Sequence, residues 1–125
     1  MKIRIKGNSI RYRLSQSEVK RFSETGHIME STVFGDVPEK CFNYALRSKA
    51  GIAGMEAAFE GTTICLFVPE EAVQHWYHSE QIGFENNYDV AAGTSLHLLL
   101  EKDFVCLDKT DEDQSDNYPN PNKAC

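Results

Sequence analysis

Five cations alternate along the first thirteen residues: Lys2, Arg4 and Lys6, then Arg11 and Arg13. Between the two runs stands Gly7-Asn8, one of the glycine-first pairs that make a two-residue hairpin turn. Folding about that turn sets Ile5 opposite Ile10 and Ile3 opposite Tyr12 on one face, with Arg4 opposite Arg11 and Lys2 opposite Arg13 on the other. Like charges directly opposite destabilise an antiparallel pair, so this face calls for a counter-charge. The chemistry it offers is anion binding, because the planar arginine fork meets phosphate or carboxylate with two parallel hydrogen bonds. Lys2, Arg4, Lys6, Arg11 and Arg13 are the candidate anion site, and the partner it implies is an anionic small molecule or an acidic protein surface.

Catalytic constellations are harder to assemble. Glu56 and Glu60 share a strand face, but Ala58 stands between them, so metal-assisted phosphoryl chemistry has no paired carboxylates to hold its ion. His75 and His78 lie three apart on a helical stretch, and two ligands do not make a metal site. His97, in the run Leu96-His97-Leu98-Leu99-Leu100, reads as a hydrogen-bonded residue at the core edge. Cys106 and Cys125 bracket an acidic segment without further close ligands. Spacing yields no Ser/His/Asp or Cys/His arrangement and no phosphate-cradling glycine loop. The basic stretch also lacks the interleaved aromatics of a single-strand nucleic-acid binder. No cofactor, metal or nucleic acid is assigned, and the reading is a non-catalytic binding or interaction module.

The elements that must position these residues follow in order. Ser15-Gln16-Ser17-Glu18 is a capping box, with Leu14 and Val19 at the staple positions and Gly26 as a stop, which gives a helix from about Gln16 to Glu24. His27–Phe34 and Lys40–Arg47 read as strands around the turn Gly35-Asp36-Val37-Pro38. A second hairpin, Glu56–Val68, turns at Gly61-Thr62. Its helix opens at Pro69 with Glu70 and Glu71 at the positive dipole end and carries Val73, Trp76 and Tyr77. Strands near Ile82–Tyr88 and Ser95–Glu101 close the pattern, and Asp103–Leu107 can add a last short one. Thr63–Val68 is apolar on both faces and belongs at the centre of a sheet.

Shifting the chain by 54 residues lays 1–47 on 55–101 without a gap. Gly7 falls on Gly61, Val19 on Val73, Phe22 on Trp76, Ile28 on Ile82 and Phe34 on Tyr88. The candidate repeats are 1–48 and 55–102. The same shift puts Lys2 on Glu56, Arg47 on Glu101 and Lys49 on Asp103, so a twofold pairing of the units would set the cations of one against the acids of the other. The expected fold is α+β, an antiparallel sheet or flattened barrel of about eight strands with two short helices. One globular domain, 1–107, precedes an acidic flexible tail, 108–125, that has little to bury. That tail is expected to contribute little to stability, or else to lie across the basic face.

The net charge of −6 conceals a division. Residues 1–50 carry ten Lys/Arg against five Asp/Glu, and 51–125 carry three against fourteen. The four cysteines, Cys41, Cys65, Cys106 and Cys125, form no C-x-x-C pair and read as free thiols. With no apolar run of membrane-spanning length, the chain reads as soluble and cytoplasmic.

Eight strands and two helices in two like units resemble the triphosphate tunnel enzymes in architecture only. That family opens on a strand of alternating glutamates ending in lysine, where this chain has Lys2-Ile3-Arg4-Ile5-Lys6. The resemblance implies, as the rival function, a hydrolase acting on a phosphorylated small molecule in a basic barrel lumen. Over its whole length, through MKIRIKGNSIRYRLSQSEV and EDQSDNYPNPN, the chain resembles a family of small uncharacterised bacterial proteins known only as a domain of unknown function. That resemblance implies a cytoplasmic bacterial setting and carries no activity or site residue.

Overall fold

Two glycines with nearly the same backbone twist, Gly7 at φ 53 and Gly61 at φ 58, turn the two hairpins. In this computed structural model residues 1–105 and 113–119 are described. The order is β1 (Lys2–Lys6), β2 (Ser9–Leu14), α1 (Gln16–Thr25), β3 (His27–Val33), β4 (Cys41–Lys49), β5 (Glu56–Glu60), β6 (Thr63–Pro69), α2 (Glu70–Tyr77), β7 (Gly83–Ala91) and β8 (Thr94–Lys102). Strand–strand–helix–strand–strand thus occurs twice. The capping box forms, with the Ser15 N–H donating to Glu18 Oε1 at 2.9 Å. Gly26 ends α1 in the left-handed region, its N–H donating to Phe22 O, as a glycine C-cap does.

The strands assemble into two mixed four-stranded sheets, β1-β2-β8-β7 and β3-β4-β6-β5. The expectation of an antiparallel sheet or flattened barrel is corrected on both counts. Each hairpin is antiparallel, but the central contacts are parallel: β2 beside β8, and β4 beside β6. The cause is directional. All four central strands are the second strands of their hairpins, so all run away from the turns, and neighbours running the same way can only pair in parallel. The outer strands β1, β7, β3 and β5 remain edges, so no barrel closes. The space that would be a lumen is filled by Tyr12, Phe22, Trp76, Leu46, Leu66, Leu98 and Leu100, all fully buried.

Each helix carries the chain from one sheet to the other. α1 leads from β2 to β3 and α2 from β6 to β7, so each sheet takes one hairpin from each half. The helices pack together and bury Val19 with Phe22, and Val73 with Trp76. Burying an aliphatic or aromatic side chain of this kind contributes about 1.5–3 kcal/mol. The buried polar tips are satisfied: Trp76 Nε1 donates to Gln81 O at 2.9 Å and the Tyr12 hydroxyl to Ile64 O at 3.3 Å.

The register repeats at the 54-residue offset in both first hairpins and at both parallel contacts. Arg4 opposite Arg11 answers to Ala58 opposite Cys65, and Tyr12 beside Leu100 answers to Leu66 beside Leu46. It fails at β7. Ile28 pairs with Leu46, whereas Phe84, not Ile82, pairs with Leu100. Ile28 is 2% exposed and Ile82 48%, so the counterpart of Ile28 is Phe84, two residues beyond the gap-free position. Segment 78–82 absorbs the slip, and its Gln81 carbonyl accepts from the Trp76 indole. Gly83 then passes so close to β8 that a Cβ there would lie 1.9 Å from Leu100 O.

Residues 113–119 of the acidic segment lie against the domain. Tyr118 bridges to Phe104 and packs on the core. Asp116 accepts from the Ser17 N–H at 3.2 Å and from its hydroxyl, and its carbonyl accepts from the Gln16 N–H at 2.9 Å. Asp116 thereby serves the exposed N-terminal turn of α1, where a carboxylate is favoured, rather than the basic face. Asp111, Glu112, Cys106 and Cys125 lie outside the described residues. A chain ending at residue 112 should therefore lose a few degrees of thermal midpoint, the shift that ~1 kcal/mol produces in a domain of this size, with Tyr118→Ala giving part of the loss. An unchanged midpoint in both would show that these contacts contribute nothing.

Candidate basic groove and the clusters around it

Alternation along β1 sends Ile3 and Ile5 inward and Lys2, Arg4 and Lys6 outward, and β2 does the same with Ile10, Tyr12 and Leu14 against Ser9, Arg11 and Arg13. Arg4 stands opposite Arg11 and Lys2 opposite Arg13, in the register the turn dictates. Lys2, Ile3, Arg4, Arg11 and Arg13 line a shallow groove of about 160 Å³. Lys6, at the turn end, is outside this lining.

The chain supplies part of the counter-charge. β8, parallel to β2, sets Glu101 beside Arg13. Arg11 Nε lies 2.9 Å and Arg13 Nε 3.9 Å from Glu101 Oε1, and Lys2 Nζ lies 2.8 Å from Asp103 Oδ2. Glu101 Oε1 is buried and accepts no aligned hydrogen bond, so its contact with Arg11 is an ion pair without that alignment. In the other sheet Lys49 Nζ lies 3.0 Å from Glu56 Oε1. Lys2 and Glu56 share one position at the 54-residue offset, as do Lys49 and Asp103, so the two ion pairs are equivalent with their polarity reversed. Among the described residues two carboxylates thus meet the four cations of the groove, and no ion pair reaches Arg4.

A second charge cluster lies where β1 begins. The α-ammonium of Met1, part-buried, contacts Glu18 Oε2, with Glu30 Oε1 at 3.3 Å, and the Tyr44 hydroxyl donates to Met1 O at 3.0 Å. Burial works to raise the Glu18 carboxyl, but the bond from the Met1 ammonium and the one from the Ser15 N–H outweigh it and hold the group below its ordinary value.

A third row crosses the outer face of the first sheet. Ser9 Oγ lies 3.3 Å from His97 Nδ1, and His97 Nε2 lies 2.6 Å from Glu85 Oε1. The order hydroxyl, imidazole, carboxylate is that of an activated nucleophile. Spacing did not reveal it, because the three residues sit on three strands. Acyl transfer also needs N–H donors aimed at the developing oxyanion, whereas here backbone groups are spent within the sheet, the His97 N–H on Asn8 O. The row reads as cross-strand pairing, with His97 at the sheet surface rather than the core edge.

His75 and His78 stand at the end of α2, and among the described residues no three His, Cys, Asp or Glu side chains gather as metal ligands would. Cys41 and Cys65 are free thiols, and burial pushes the Cys65 thiol up. Lys102, 5% exposed, escaped notice in the sequence. It donates to Ser79 O at 2.8 Å and lies over the Tyr118 ring, and burial pulls its ammonium down. Also unforeseen is an apolar cleft at the turn end, lined on both sheets by residues such as Ile5, Ile10, Phe59 and Ile64. The available signal was a large apolar residue two positions before each hairpin glycine.

Residues 1–122 match the family of unknown function DUF7009, and the chain belongs to that family. No curated protein and no solved structure matches it. Among the described residues no helix is long and apolar enough to cross a membrane.

The Glu18 cluster makes a pH prediction. A carboxyl whose folded value is depressed stabilises the protein above its unfolded value, about 4.5, and that contribution fades as pH falls through the lower folded value. The thermal midpoint should fall below pH 4.5, and Glu18→Gln should lower it at pH 7 while flattening its acid limb. An acid limb unaltered by the substitution would contradict the assignment.

Proposed function

We propose that this member of the family is a non-catalytic binding module that holds an anionic group, a phosphate or carboxylate, in the groove of the first hairpin. The observation that carries this reading is the convergence of Lys2, Arg4, Arg11 and Arg13 on one groove, where among the described residues Glu101 and Asp103 are the carboxylates that meet them and no ion pair reaches Arg4. Lys6 extends the positive face toward the turn. An anion entering between Arg4 and Arg11 relieves the repulsion of a like-charged cross-strand pair. It also gives Arg11 the aligned acceptor that Glu101 does not provide, so an incoming oxyanion competes for it on favourable terms. The groove is shallow, and screening over about 10 Å at ordinary salt keeps the interaction modest. That suits a reversible ligand or the acidic side chains of a partner better than a sequestered substrate.

We further infer that the chain arose by duplication of one strand–strand–helix–strand–strand unit. The repeated registers and the polarity-reversed ion pairs support this, for the second unit has exchanged cations for acids at the positions that face the first. The free thiols Cys41 and Cys65 fit a reducing, cytoplasmic setting.

Thermal midpoints in sulfate, phosphate and tripolyphosphate, at constant ionic strength balanced with chloride, test the groove. A native-state ligand at a hundredfold excess over its Kd stabilises by about 2.7 kcal/mol, a rise of several degrees. The rise should be largest for tripolyphosphate and should vanish in Arg4→Ala and Arg11→Ala. A midpoint indifferent to all three anions, or a rise that survives both substitutions, would refute the site.

A further inference from the structure

We propose that the turn end of the molecule is a binding site for a linear hydrocarbon chain, an alkyl or acyl group inserted between the two sheets. The site is independent of the basic groove, which lies on the opposite, outward face of β1 and β2.

Because the central strands all run away from the turns and both helices follow those strands, the helices close one end of the sandwich and leave the turn end open. Burial follows that division. Leu14, Val68 and Leu100, toward the helices, have no exposed surface. Ile10 and Ile64, nearer the turns, are 7% and 8% exposed, while Ile5 and Phe59, the residues paired with them on the edge strands, are 53% and 70% exposed. Between them lies a cleft of about 610 Å³ whose walls come from both sheets. Three pairs of wall residues are equivalent at the 54-residue offset: Ile5 with Phe59, Ile10 with Ile64, and Phe42 with Leu96. The β7 bulge at Val90 brings a further apolar side chain to the lining.

The space has an identifiable origin. On β1 the inward residue facing Tyr12 is Ile3; at the equivalent place on β5, facing Leu66, stands Ala57. A branched side chain has been replaced by a methyl group on one wall only, and Ala57 lines the cleft where Ile3 does not.

Chemistry and size together select the occupant. Among the described residues no charged side chain lines the cleft; of its two polar side chains, Asn8 already donates to Ser95 O at 2.6 Å and Tyr88 offers a single hydroxyl. The buried part of a ligand must therefore be mainly apolar. The rim carries Lys6 on one hairpin and Glu60 at the equivalent place on the other, so neither sign of head group is selected and the chain itself carries the affinity. Twelve of the described residues line the cleft, against roughly 20–30 on each side of a stable protein interface. That is too few for a second copy or a folded partner, and the volume lies within the roughly 300–1,000 Å³ of small-molecule sites. Packed sheets lie about 10 Å apart, which admits a polymethylene chain between their side chains.

The test is a titration of the whole protein with the neutral n-alkanols hexanol to decanol, below their solubility limits, followed by backbone amide NMR shifts. The expected result is saturable shifts confined to the turn-end segments around Ile5–Ile10, Phe59–Ile64 and Tyr88–Leu96. Affinity should rise roughly fourfold per added methylene, the factor for burying one CH₂. Ala57→Leu, which refills the wall, should lose binding by tenfold or more with no loss of thermal midpoint. Ile5→Glu, at an exposed rim position, should weaken binding without touching the core, so the proposal stays testable if Ala57→Leu does not fold. Shifts spread over the surface, affinity independent of chain length, or binding that survives both substitutions would overturn the proposal. So would a dimer in sedimentation velocity that the alkanols leave intact, since a second copy would then cover the cleft. An alkanol response with no anion response, or the reverse, separates the failure of this site from that of the groove.

Discussion

The structure depends on one directional constraint: the four central strands all run from the turns toward the helices. Each helix must begin where a central strand ends, and each then carries the chain across to the other sheet. Neither half can complete a sheet alone, because the inner neighbour of each hairpin comes from the other half. The parallel pairs β2/β8 and β4/β6 are therefore where the halves are joined, and the helices seal the end at which those pairs finish. Core, groove and cleft follow from this arrangement. The core lies toward the helix end, the cleft is what the helices leave uncovered, and the groove lies on the outside of a hairpin whose inside is core.

The same exchange explains the charge division along the chain. A basic first half and an acidic second half would each repel themselves if each built its own sheet. Shared sheets set Arg11, Arg13 and Lys2 beside Glu101 and Asp103, and Lys49 beside Glu56. The more exposed of these pairs, such as Lys49 with Glu56, contribute little singly, about 0–1 kcal/mol. Their effect is on pairing: each hairpin meets a neighbour of opposite sign only when the halves exchange. Among the described residues the first hairpin carries more cations than the carboxylates set beside it, and the proposed anion site rests on that difference.

Local chemistry was legible in the sequence, and partnership was not. Ser15 and Glu18 announced the start of α1, Gly7 and Gly61 announced the turns, and the two-faced apolar run of β6 announced a central strand. Each of these is decided by residues within a few positions. Alternation fixes which face a side chain takes, but it does not say which strand lies alongside, so the parallel contacts and the open sheets went unforeseen. The two-residue slip at β7 was hidden because Ile82 and Phe84 are both apolar and two apart, so alternation alone suits either, whereas in the structure Ile82 precedes the strand and Phe84 pairs with Leu100. Ile5 and Phe59 look like core residues in the sequence because they are on the core face. Their exposure comes from their place at the open end, a property of the assembled sheets. Asp116 and Tyr118 sit in a stretch whose composition is that of a loose tail, and their contacts depend on two particular side chains rather than on any average.

The shared-sheet account is tested most directly by cutting the chain between its halves. A specific protease site placed after Gly51, in the exposed link between β4 and β5, would allow the folded protein to be nicked without loss of any strand. The account predicts that the two fragments stay together as one particle of unchanged mass and unfold in a single transition, and that neither fragment, once separated in denaturant, recovers a cooperative fold alone. Fragments that part under native conditions, each keeping its β-sheet signal and its own unfolding transition, would contradict it.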